Sequence, residues 1–294
     1  MTILNIGSIN RDRIYVVDHF PKPGETLAAR SAAVGLGGKG LNQSIAIHKA
    51  GGSVLHVGAI GEGDTRMRDE IQHFGLDTSG IAEIQGCMTG SALIVVDANG
   101  ENQIVLDPGA NTRLSVDQCL NMIAQMTVGD SLLLQNETNI LEEVCAFAQG
   151  RGIRVVVAAA PFDADRILPV LPNIDLLAVN EIEFSQLCDT GIDLPSEISV
   201  LVTKGPQGAS FIMPNAAIHR PAFCARTVDT TGAGDTTLGS FLARLDDGCE
   251  PETALSYAMA AAALQVGRQG AASAIPNESE VLELLGESAT SSTC

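Results

Sequence analysis

The stretch "SLLLQNETNILEEVCAFAQGRGIRVVVAAA", Ser131–Ala160, indicates the fold because it joins two buried strands through a helix. Its two ends, "SLLLQ" and "RVVVAAA", are apolar on successive residues, as expected of strands that are covered on both faces. Between them, "ILEEVCAFAQGRG" has a helical pattern and closes with glycines, which favour helix C-termini. The stretch therefore predicts a strand–helix–strand unit of a parallel sheet.

Further apolar runs of the same kind lie on both sides of this unit. They are "ILNIGSI" (Ile3–Ile9), "VLHVGAI" (Val54–Ile60), "DLLAVN" (Asp175–Asn180) and "SVLVTKG" (Ser199–Gly205), with helical patterns between many of them. We therefore expect a single α/β domain over residues 1–294, with a mostly parallel sheet sandwiched by helices.

Two regions, about 13–34 and 90–107, differ from this α/β domain because apolar and polar residues alternate more strongly in them and because they contain residues typical of turns. The second one reads as a hairpin about "DANGEN" (97–102). The two regions predict a small antiparallel β lid over the carboxyl ends of the parallel strands, where ligands bind in such folds.

The composition excludes several classes of protein. The chain is 45% hydrophobic and 18% charged, enough for a large core, and it has no apolar run long enough for a membrane span. The N-terminus lacks the basic segment of a signal peptide, and seven scattered cysteines without a C-x-x-C pair fit a reducing cytoplasm. A net charge of −18 argues against nucleic acid, so neither nucleic acid nor membrane is an expected partner.

In "TGAGDT" (Thr231–Thr236) a glycine-containing loop turns into a helix. Glycines let backbone N–H groups approach an anion, and the helix N-terminus adds partial positive charge, which suits a phosphoryl group in transfer. Asp235 in this turn is a candidate base for an attacking hydroxyl. The alternative is that Asp235 caps the helix, and these six residues leave both interpretations open. No G-x-x-x-x-G-K-[ST] loop occurs, which excludes the common nucleoside triphosphatase motif.

Two stretches near the N-terminus offer groups for a polyhydroxyl or phosphate ligand. In "GSINRD" (Gly7–Asp12), Asn10 and Asp12 fit a pair of hydroxyl-binding groups, with a loop Asx-turn as the alternative. In "GLGGKGLNQS" (Gly35–Ser44), Lys39 and Asn42 follow glycines at a helix start, with a tight turn and a solvated lysine as the alternative.

Three later strands also end in polar residues or glycines. "LLLQNE" ends in Glu137, and "VTKGPQGA" contains Thr203 and two glycines. "LLAVNEIEF" places Asn180 and Glu183 about one helical turn apart, which fits either a Mg²⁺ carboxylate or a capping box. Caps and turns would occur at both edges of a sheet, so this concentration at one edge favours a ligand site.

The stretches "GGKGLNQ" and "DTTGAGDT" resemble the two signature motifs of the ribokinase-like (PfkB) carbohydrate kinase family. The similarity extends from "GSINRD" through "PKPGET", "LLLQNE" and "NEIEF" to "GAASAIP", which is nearly the whole chain. Within the family, "GSIN-x-D" and "GGKG-x-NQ" are most similar to the ribokinases. The resemblance implies transfer of the γ-phosphoryl group of ATP to O5 of D-ribose, with Mg²⁺ and K⁺ as cofactors and a homodimer formed through the lid. A kinase for a nucleoside or another sugar, and an inactive sugar-binding protein, are the alternatives.

The resemblance also implies roles for individual residues. Asp235 matches the base, and the anion hole matches Gly232, Ala233 and Gly234. The ribose-binding positions match Asn10, Asp12, Gly38, Lys39, Asn42 and Glu137. The ATP-binding positions match Asn180, Thr203, Lys204, Gly205, Gly208, Gly234 and Met259. Glu183 matches the Mg²⁺ region, and the K⁺ site matches Asp229, Thr231, Gln265, Arg268, Gly270 and Ala274, mostly through carbonyl oxygens.

Three departures accompany the resemblance. Ala274 stands where the family usually has a serine-type oxygen ligand for K⁺, and the nucleotide position at Met259 is apolar. The chain between Gly191 and Ser199 is too short for the helix that ribokinases usually have there.

Overall fold

A computed structural model describes residues 1–98 and 101–291 of the chain. Residues 99 and 100, in the predicted "DANGEN" turn, lie outside the described residues. The strands are β1 (Ile3–Ile6), β2 (Asn10–Val16), β3 (Ser31–Gly37), β4 (Val54–Gly61), β5 (Ile81–Ile84), β6 (Gly90–Val96), β7 (Asn102–Asp107), β8 (Ser131–Gln135), β9 (Arg154–Ala158), β10 (Leu176–Asn180), β11 (Ser199–Thr203), β12 (Ala209–Met213) and β13 (Ala216–Arg220). The helices are α1 (Lys39–Lys49), α2 (Thr65–His73), α3 (Val116–Ile123), α4 (Leu141–Gln149), α5 (Ala164–Ile167), α6 (Glu181–Asp189), α7 (Ala233–Asp246), α8 (Pro251–Val266) and α9 (Glu278–Ser291).

The large sheet has the strand order β13-β12-β11-β10-β9-β8-β1-β4-β5. The strands from β11 to β5 run parallel, and β12 and β13 add an antiparallel hairpin at one edge. The stretch Ser131–Ala160 forms β8, α4 and β9, and the two strands pair in parallel as predicted. The predicted α/β fold with a mostly parallel sheet is confirmed.

Both faces of this sheet are buried, which explains why its strands are apolar on successive residues. On β8, Leu132 and Leu134 pack into the core on one face, together with α3 and α4. Leu133 points to the opposite face and joins the core formed with α7 and α8. These two helices pack closely against each other, and Phe241 on α7 is fully buried. The packing fixes the N-terminus of α7 relative to the sheet.

The small sheet has the order β3-β2-β6-β7. Strand β2 pairs antiparallel with β3 and parallel with β6, and β6 pairs antiparallel with β7. Because β2 begins at Asn10 and β3 ends at Gly37, the strands extend beyond the predicted region 13–34. Asn10 and Asp12 therefore lie on β2 rather than in a loop, and the Asx-turn alternative is wrong for them. The small sheet itself carries part of the predicted site.

The connection from α6 to β11 is short, as the sequence indicates. Residues 190–198 form turns and irregular backbone before β11 begins at Ser199. Across residues 1–98 and 101–291, the helices are too short or too polar to cross a membrane.

Candidate active site

Asp235 lies in the first turn of α7, at the carboxyl edge of the large sheet. Gly232 is the N-cap of α7 and has a left-handed φ of 77°, which glycine adopts without strain. The carboxylate of Asp235 turns away from its own helix end and towards α1. There Oδ2 accepts a hydrogen bond from Asn42 Nδ2 at 3.0 Å, and Oδ1 accepts one from Gln43 Nε2 at 2.9 Å. Asp235 is therefore not the cap of α7, and two amides of α1 set its orientation.

The charges around Asp235 set its affinity for a proton. Burial raises the pKa of Asp235, while the charge of Lys39 and the hydrogen bonds from Asn42 and Gln43 oppose that rise without cancelling it. Burial lowers the pKa of Lys39, but Asp235, Glu137 and other nearby carboxylates raise it above its ordinary value overall. The site therefore combines a charged lysine with a carboxylate of increased basicity, which suits a general base.

A network of hydrogen bonds between buried side chains fixes the position of the Gln43 amide. Gln135 Nε2 donates to Gln43 Oε1 at 2.7 Å and to Asn5 Oδ1 at 2.9 Å, and Asn5 Nδ2 donates to Ser44 Oγ at 2.8 Å. Ser44 Oγ also contacts His56 Nδ1 at 2.9 Å, and burial lowers the pKa of His56 to about 4, so this imidazole is neutral near pH 7. Each contact fixes the amide orientation of the next residue. The network thus holds Gln43 in position to donate to Asp235.

Sequence reasoning missed Gln43 and the residues behind it. Their partners are far apart in the chain: Gln43 and Gln135 are separated by 92 residues, and Gln135 and Asn5 by 130. A signal was nevertheless present, because Asn5 interrupts the apolar run of β1 and Gln135 ends that of β8. Polar residues within buried strands need hydrogen-bond partners, and here the partners lead to Asp235.

The predicted ribose-binding residues come together beside Asp235. Asn10, Asp12 and Asn42 are buried, and Asn10 Oδ1 accepts a hydrogen bond from Asn111 Nδ2 at 2.7 Å. Asn111 follows the small sheet and was not singled out from the sequence. Glu137 Oε2 accepts hydrogen bonds from the hydroxyl of Ser8 and, at 3.3 Å, from the backbone N–H of Lys39. These acids and amides offer both donors and acceptors, which suits ligand hydroxyls, and we call them the candidate hydroxyl-binding pocket.

Gly38 allows the start of α1 to approach β1 closely. Its φ is 96°, and a Cβ atom at this position would lie 2.6 Å from the carbonyl oxygen of Ser8. Any other residue would push Lys39 and Asn42 away from the pocket. The glycine is therefore required by backbone packing, whatever contact it also makes with a ligand.

The pKa of Asp12, another acid of this pocket, is also raised. Burial raises its pKa to about 7, Glu137 and Asp235 contribute to the rise, and Lys39 opposes it. Asp12 therefore changes its charge near neutral pH, and ionised it is a strong acceptor for a ligand hydroxyl.

A cleft of about 530 Å³ runs from Lys39 and Asp235 to the loop after β11. Its lining includes predicted anion-hole and nucleotide residues: Asn180, Glu183, Thr203, Lys204, Gly205, Gly232, Ala233 and Gly234. Gly234 is exposed, and among the described residues no atom outside the adjacent turns of its own helix lies within 4 Å of where its Cβ would be. The backbone at the start of α7 is therefore open to an anion in the cleft.

Two predicted nucleotide residues do not line this cleft. Gly208 closes the turn after β11, where its carbonyl accepts from Lys204 N at 2.8 Å and its φ is 93°. Met259 is 4% exposed on α8 and packs within the hydrophobic core. Gly208 shapes the loop after β11, and Met259 stabilises the core between the sheet and its helices.

Asn180 and Glu183 form the capping box that the sequence left as an alternative. Asn180 Oδ1 accepts from Glu183 N, and Glu183 Oε2 accepts from Asn180 N, both at 2.8 Å. Glu183 nevertheless lines the cleft and contributes to the raised pKa of Lys39. In residues 1–98 and 101–291 no three His, Cys, Asp or Glu side chains are grouped to hold a metal. Mg²⁺ beside a phosphate needs only one or two protein carboxylates with waters and phosphate oxygens, so Glu183 fits this ion.

The residues implied for K⁺ converge only in part. The two carboxylate oxygens of Asp229 accept from Thr231 N and from Gly270 N, both at 2.9 Å. Arg268 pairs instead with Glu280 at 2.6 Å. Gln265 directs its amide nitrogen, a hydrogen-bond donor, at the carbonyl oxygens that the ion would need. This arrangement does not fit a monovalent cation.

A comparison with family profiles decides the relationship of the chain. The profile of the pfkB family of carbohydrate kinases matches residues 2–278. The chain belongs to this family. It is a phosphotransferase with an alcohol group as acceptor, and the resemblance stated from the signature motifs is confirmed.

Several ribokinases align with this chain over nearly their whole length. Ribokinase of Haemophilus influenzae is 35% identical and covers 97% of this chain and 98% of its own. The crystal structure of ribokinase from Thermotoga maritima is 32% identical, with a TM-score of 0.85 over 97% of this chain and 99% of its own. Ribokinase of Arabidopsis thaliana, solved with ribose and ATP, is 28% identical, with a TM-score of 0.81 over 97% of this chain and 98% of its own.

Proposed function

We propose that the protein transfers the γ-phosphoryl group of ATP to the O5 hydroxyl of D-ribose, giving ribose 5-phosphate and ADP. The observation that carries this proposal is the position of Asp235. Its carboxylate lies where the hydroxyl-binding pocket meets the 530 Å³ cleft, and Asn42 and Gln43 hold both of its oxygens. The similarity to ribokinases over the full chain supports ribose as the acceptor.

In the proposed reaction, the carboxylate of Asp235 takes the proton from O5 as this oxygen attacks the γ-phosphorus. The bond between the γ-phosphorus and the oxygen that bridges it to the β-phosphate breaks, and ADP leaves with that oxygen. Backbone N–H groups of Gly232 and Gly234 at the start of α7 donate to the charge on the transferred group. The N–H of Ala233, the third residue of the predicted anion hole, instead donates to the carbonyl oxygen of Thr230 at 3.2 Å. The protein mainly positions the reactants and stabilises charge, as in other phosphoryl transfers.

The proposal includes ATP and Mg²⁺ as cofactors. Asn180, Thr203, Lys204 and Gly205 line the part of the cleft assigned to ATP. Glu183 would hold Mg²⁺ through its carboxylate, and the ion would neutralise charge on the phosphates. The proposal does not include K⁺, because the amide of Gln265 already contacts the carbonyl oxygens that the ion would need.

One observation favours a larger acceptor, such as a nucleoside, as the second candidate. A second cavity of about 490 Å³ is lined in part by Asp12 and shares no lining residue with the 530 Å³ cleft. Ile14, Val34 and Phe74 give this cavity an apolar part, which would suit a base attached to the ribose.

A panel of acceptors tests both candidates. The purified protein is given ATP and Mg²⁺ with D-ribose, 2-deoxyribose, hexoses and nucleosides, and ADP release is measured. We expect the highest kcat/KM with D-ribose and a product whose phosphorus couples to the C5 protons in NMR. Turnover of a nucleoside without turnover of ribose would replace the first candidate with the second. Ribose binding without ADP release from any acceptor would leave a sugar-binding protein.

We also propose that the protein acts in the cytoplasm as a homodimer that pairs through its small sheet. The six cysteines in the described ranges are free, which suits a reducing compartment. Large apolar side chains are exposed on this sheet, namely Val34, Leu93, Ile104, Val105 and Leu106. Leu93 and Val105 are cross-strand partners on β6 and β7 and therefore share one face of the sheet, and exposed apolar side chains on one face favour association. Light scattering after size exclusion should give twice the chain mass for the wild type and one chain mass for Val105→Lys.

A further inference from the structure

Three backbone carbonyl oxygens next to the anion hole, those of Thr231, Gly270 and Ala271, form what we call the carbonyl cage. Gln265 Nε2 lies 3.0 Å from the oxygen of Thr231, 3.3 Å from that of Gly270 and 3.0 Å from that of Ala271. Gln265 is fully buried on the last turn of α8. A cation bound to these three oxygens would have to occupy the position of the amide nitrogen.

The chemistry of the cage fixes which way the amide points. Carbonyl oxygens only accept hydrogen bonds, so the amide must present its NH₂ group to them. The reverse orientation would place Oε1 against three acceptors. Oε1 instead points away and has no hydrogen-bond partner in the described part of the chain. The three carbonyl contacts therefore keep the amide in this orientation even though its oxygen remains unpaired.

The other groups around the cage leave little negative charge for a cation. Both carboxylate oxygens of Asp229 already accept backbone N–H groups, and these bonds tie the loop before α7 to the loop at Gly270. The side chain of Ala274 is a methyl group, which offers no oxygen to a cation. The guanidinium of Arg268 is paired with the carboxylate of Glu280. Gln265 links the same two loops through its contacts with the carbonyl oxygens of Thr231 and Gly270.

We infer that the amide of Gln265 replaces the monovalent cation of the family's K⁺ site, so that this kinase neither needs nor binds K⁺ there. The partial positive charge of the NH₂ group holds the carbonyls of the two loops together. A Cβ on Gly232, the N-cap of α7, would lie 3.3 Å from Gln265 Nε2, so the amide directly adjoins the anion hole. The effect on turnover rests on the proposed kinase activity, whereas the effect on cation binding does not.

The first experiment measures activity and heat stability of the wild-type protein in K⁺, Na⁺ and tetramethylammonium salts at equal ionic strength. We expect kcat with the best acceptor to agree within about twofold across the salts. The midpoint of thermal unfolding should show no increase specific to K⁺. A tenfold or greater activation by K⁺, or a saturable K⁺-specific rise in the unfolding midpoint, would overturn the inference.

The second experiment asks whether removal of the amide creates a cation site. Gln265→Ala empties the cage, and Gln265→Glu replaces the donor with a carboxylate that needs a cation beside the carbonyls. We expect both variants to be less stable in tetramethylammonium and to regain stability as K⁺ is added, with a saturating midpoint shift. Adding Ala274→Ser to Gln265→Ala should strengthen the response to K⁺.

Gln269→Ala is the matched control, because this glutamine is exposed on the following loop. It should show no K⁺ response in stability. Equal stability of Gln265→Glu with and without K⁺ would show that the amide does not stand in for a cation. If Gln265→Ala does not fold in either salt, Gln265→Glu and the wild type still decide the question. Absence of ribose turnover would remove the proposed substrate but leave the stability measurements intact.

Discussion

The proposed acceptor half of the site consists of buried polar side chains, several of which are already hydrogen-bonded, as Asn10 is to Asn111 and Asn42 is to Asp235. The proposed nucleotide half, which is the 530 Å³ cleft, is open. Asp12 is 7% exposed and Asn42 is 5% exposed, while Ile182, which lines the nucleotide half, is 70% exposed. Buried and paired groups recognise a ligand with little reorganisation, and they reject ligands that leave them unpaired. Under the proposed function, this difference means that acceptor selectivity is largely fixed in the free protein, while the nucleotide half is completed by its ligand.

The largest effect should come from Asp235→Asn, at the junction of the two halves. The asparagine keeps the shape of the side chain but cannot take the hydroxyl proton, so kcat should fall about 100-fold to 10,000-fold. KM for the acceptor and for ATP should change little. Steady-state kinetics and circular dichroism measure the effect and the retention of fold. Asp117→Asn, at an exposed acid in the first turn of α3, is the control, and near-normal turnover of Asp235→Asn would exclude this residue as the base.

Gln43→Ala should impair turnover indirectly, because the variant keeps the carboxylate of Asp235 and removes only a side chain that positions it. Asp235 would lose one of its two amide donors, so kcat should fall about tenfold to 100-fold while KM for ribose changes less. Because the lost hydrogen bond stabilises the charged carboxylate, the pKa of Asp235 should rise, and the acid limb of the kcat profile should move to higher pH.

The shifted pH profile distinguishes positioning of the base from a general loss of structure. Gln118→Ala, at an exposed glutamine on α3, should leave the acid limb where it is in the wild type. An unchanged profile for Gln43→Ala would mean that the network stabilises the fold without acting on Asp235.

Asp12→Asn should affect binding more than chemistry. The neutral amide is a weaker acceptor than a carboxylate, so KM for ribose should rise about tenfold with a smaller change in kcat. The variant should also be more stable than the wild type at high pH. In the folded protein the pKa of Asp12 is about 7, against an ordinary 3.8, so the fold binds this proton more tightly than the unfolded chain does.

Ionisation of Asp12 therefore costs the wild type stability progressively as the pH rises from about 4 to about 7. The stability advantage of Asp12→Asn should be absent near pH 4 and full above pH 7, as measured by urea unfolding at a series of pH values. An advantage that does not vary with pH would contradict the raised pKa.

The smallest effect should come from Met259→Leu, which tests the boundary of the nucleotide half. This residue lies in the core, and a volume-conserving exchange there costs less than about 1.5 kcal/mol of unfolding free energy. KM for ATP should stay within about twofold of the wild type, since Met259 does not line the cleft. A tenfold rise in KM for ATP would place Met259 in contact with the nucleotide.

Local patterns predicted the strands well, because strands that are buried on both faces are apolar on successive residues. "SLLLQ" and "RVVVAAA" correspond to β8 and β9, and Asn180 and Thr203 end strands as expected. The family motifs then indicated Asp235 and its neighbours. What the patterns left open was the direction of a side chain, since a helix start looks the same whether Asp235 bonds to its own backbone or to α1.

Contacts between distant segments of the chain were the second feature that could not be predicted from the sequence. Gln43 and Gln265 stand in helical patterns where a glutamine is unremarkable, and their roles depend on which backbone or side chain faces them. Gln265 was expected to contribute a carbonyl oxygen near a cation, whereas its side chain supplies a donor in that place. Residue type alone did not distinguish the two roles, because the positions of the loop before α7 and the loop at Gly270 decide between them.

In the proposed function, the position of Asn10 and Asp12 on β2 separates the residues that bind the acceptor from those that transfer the proton along the chain. Strands β2 and β3 lie within residues 10–37, while Asp235 and the anion hole belong to α7. Part of the preference for an acceptor thus resides in one short continuous segment of the chain, whereas the group that accepts the proton resides in another. An exchange of residues 10–37 with those of a relative should carry acceptor preference with it and leave the base and its supporting amides in place.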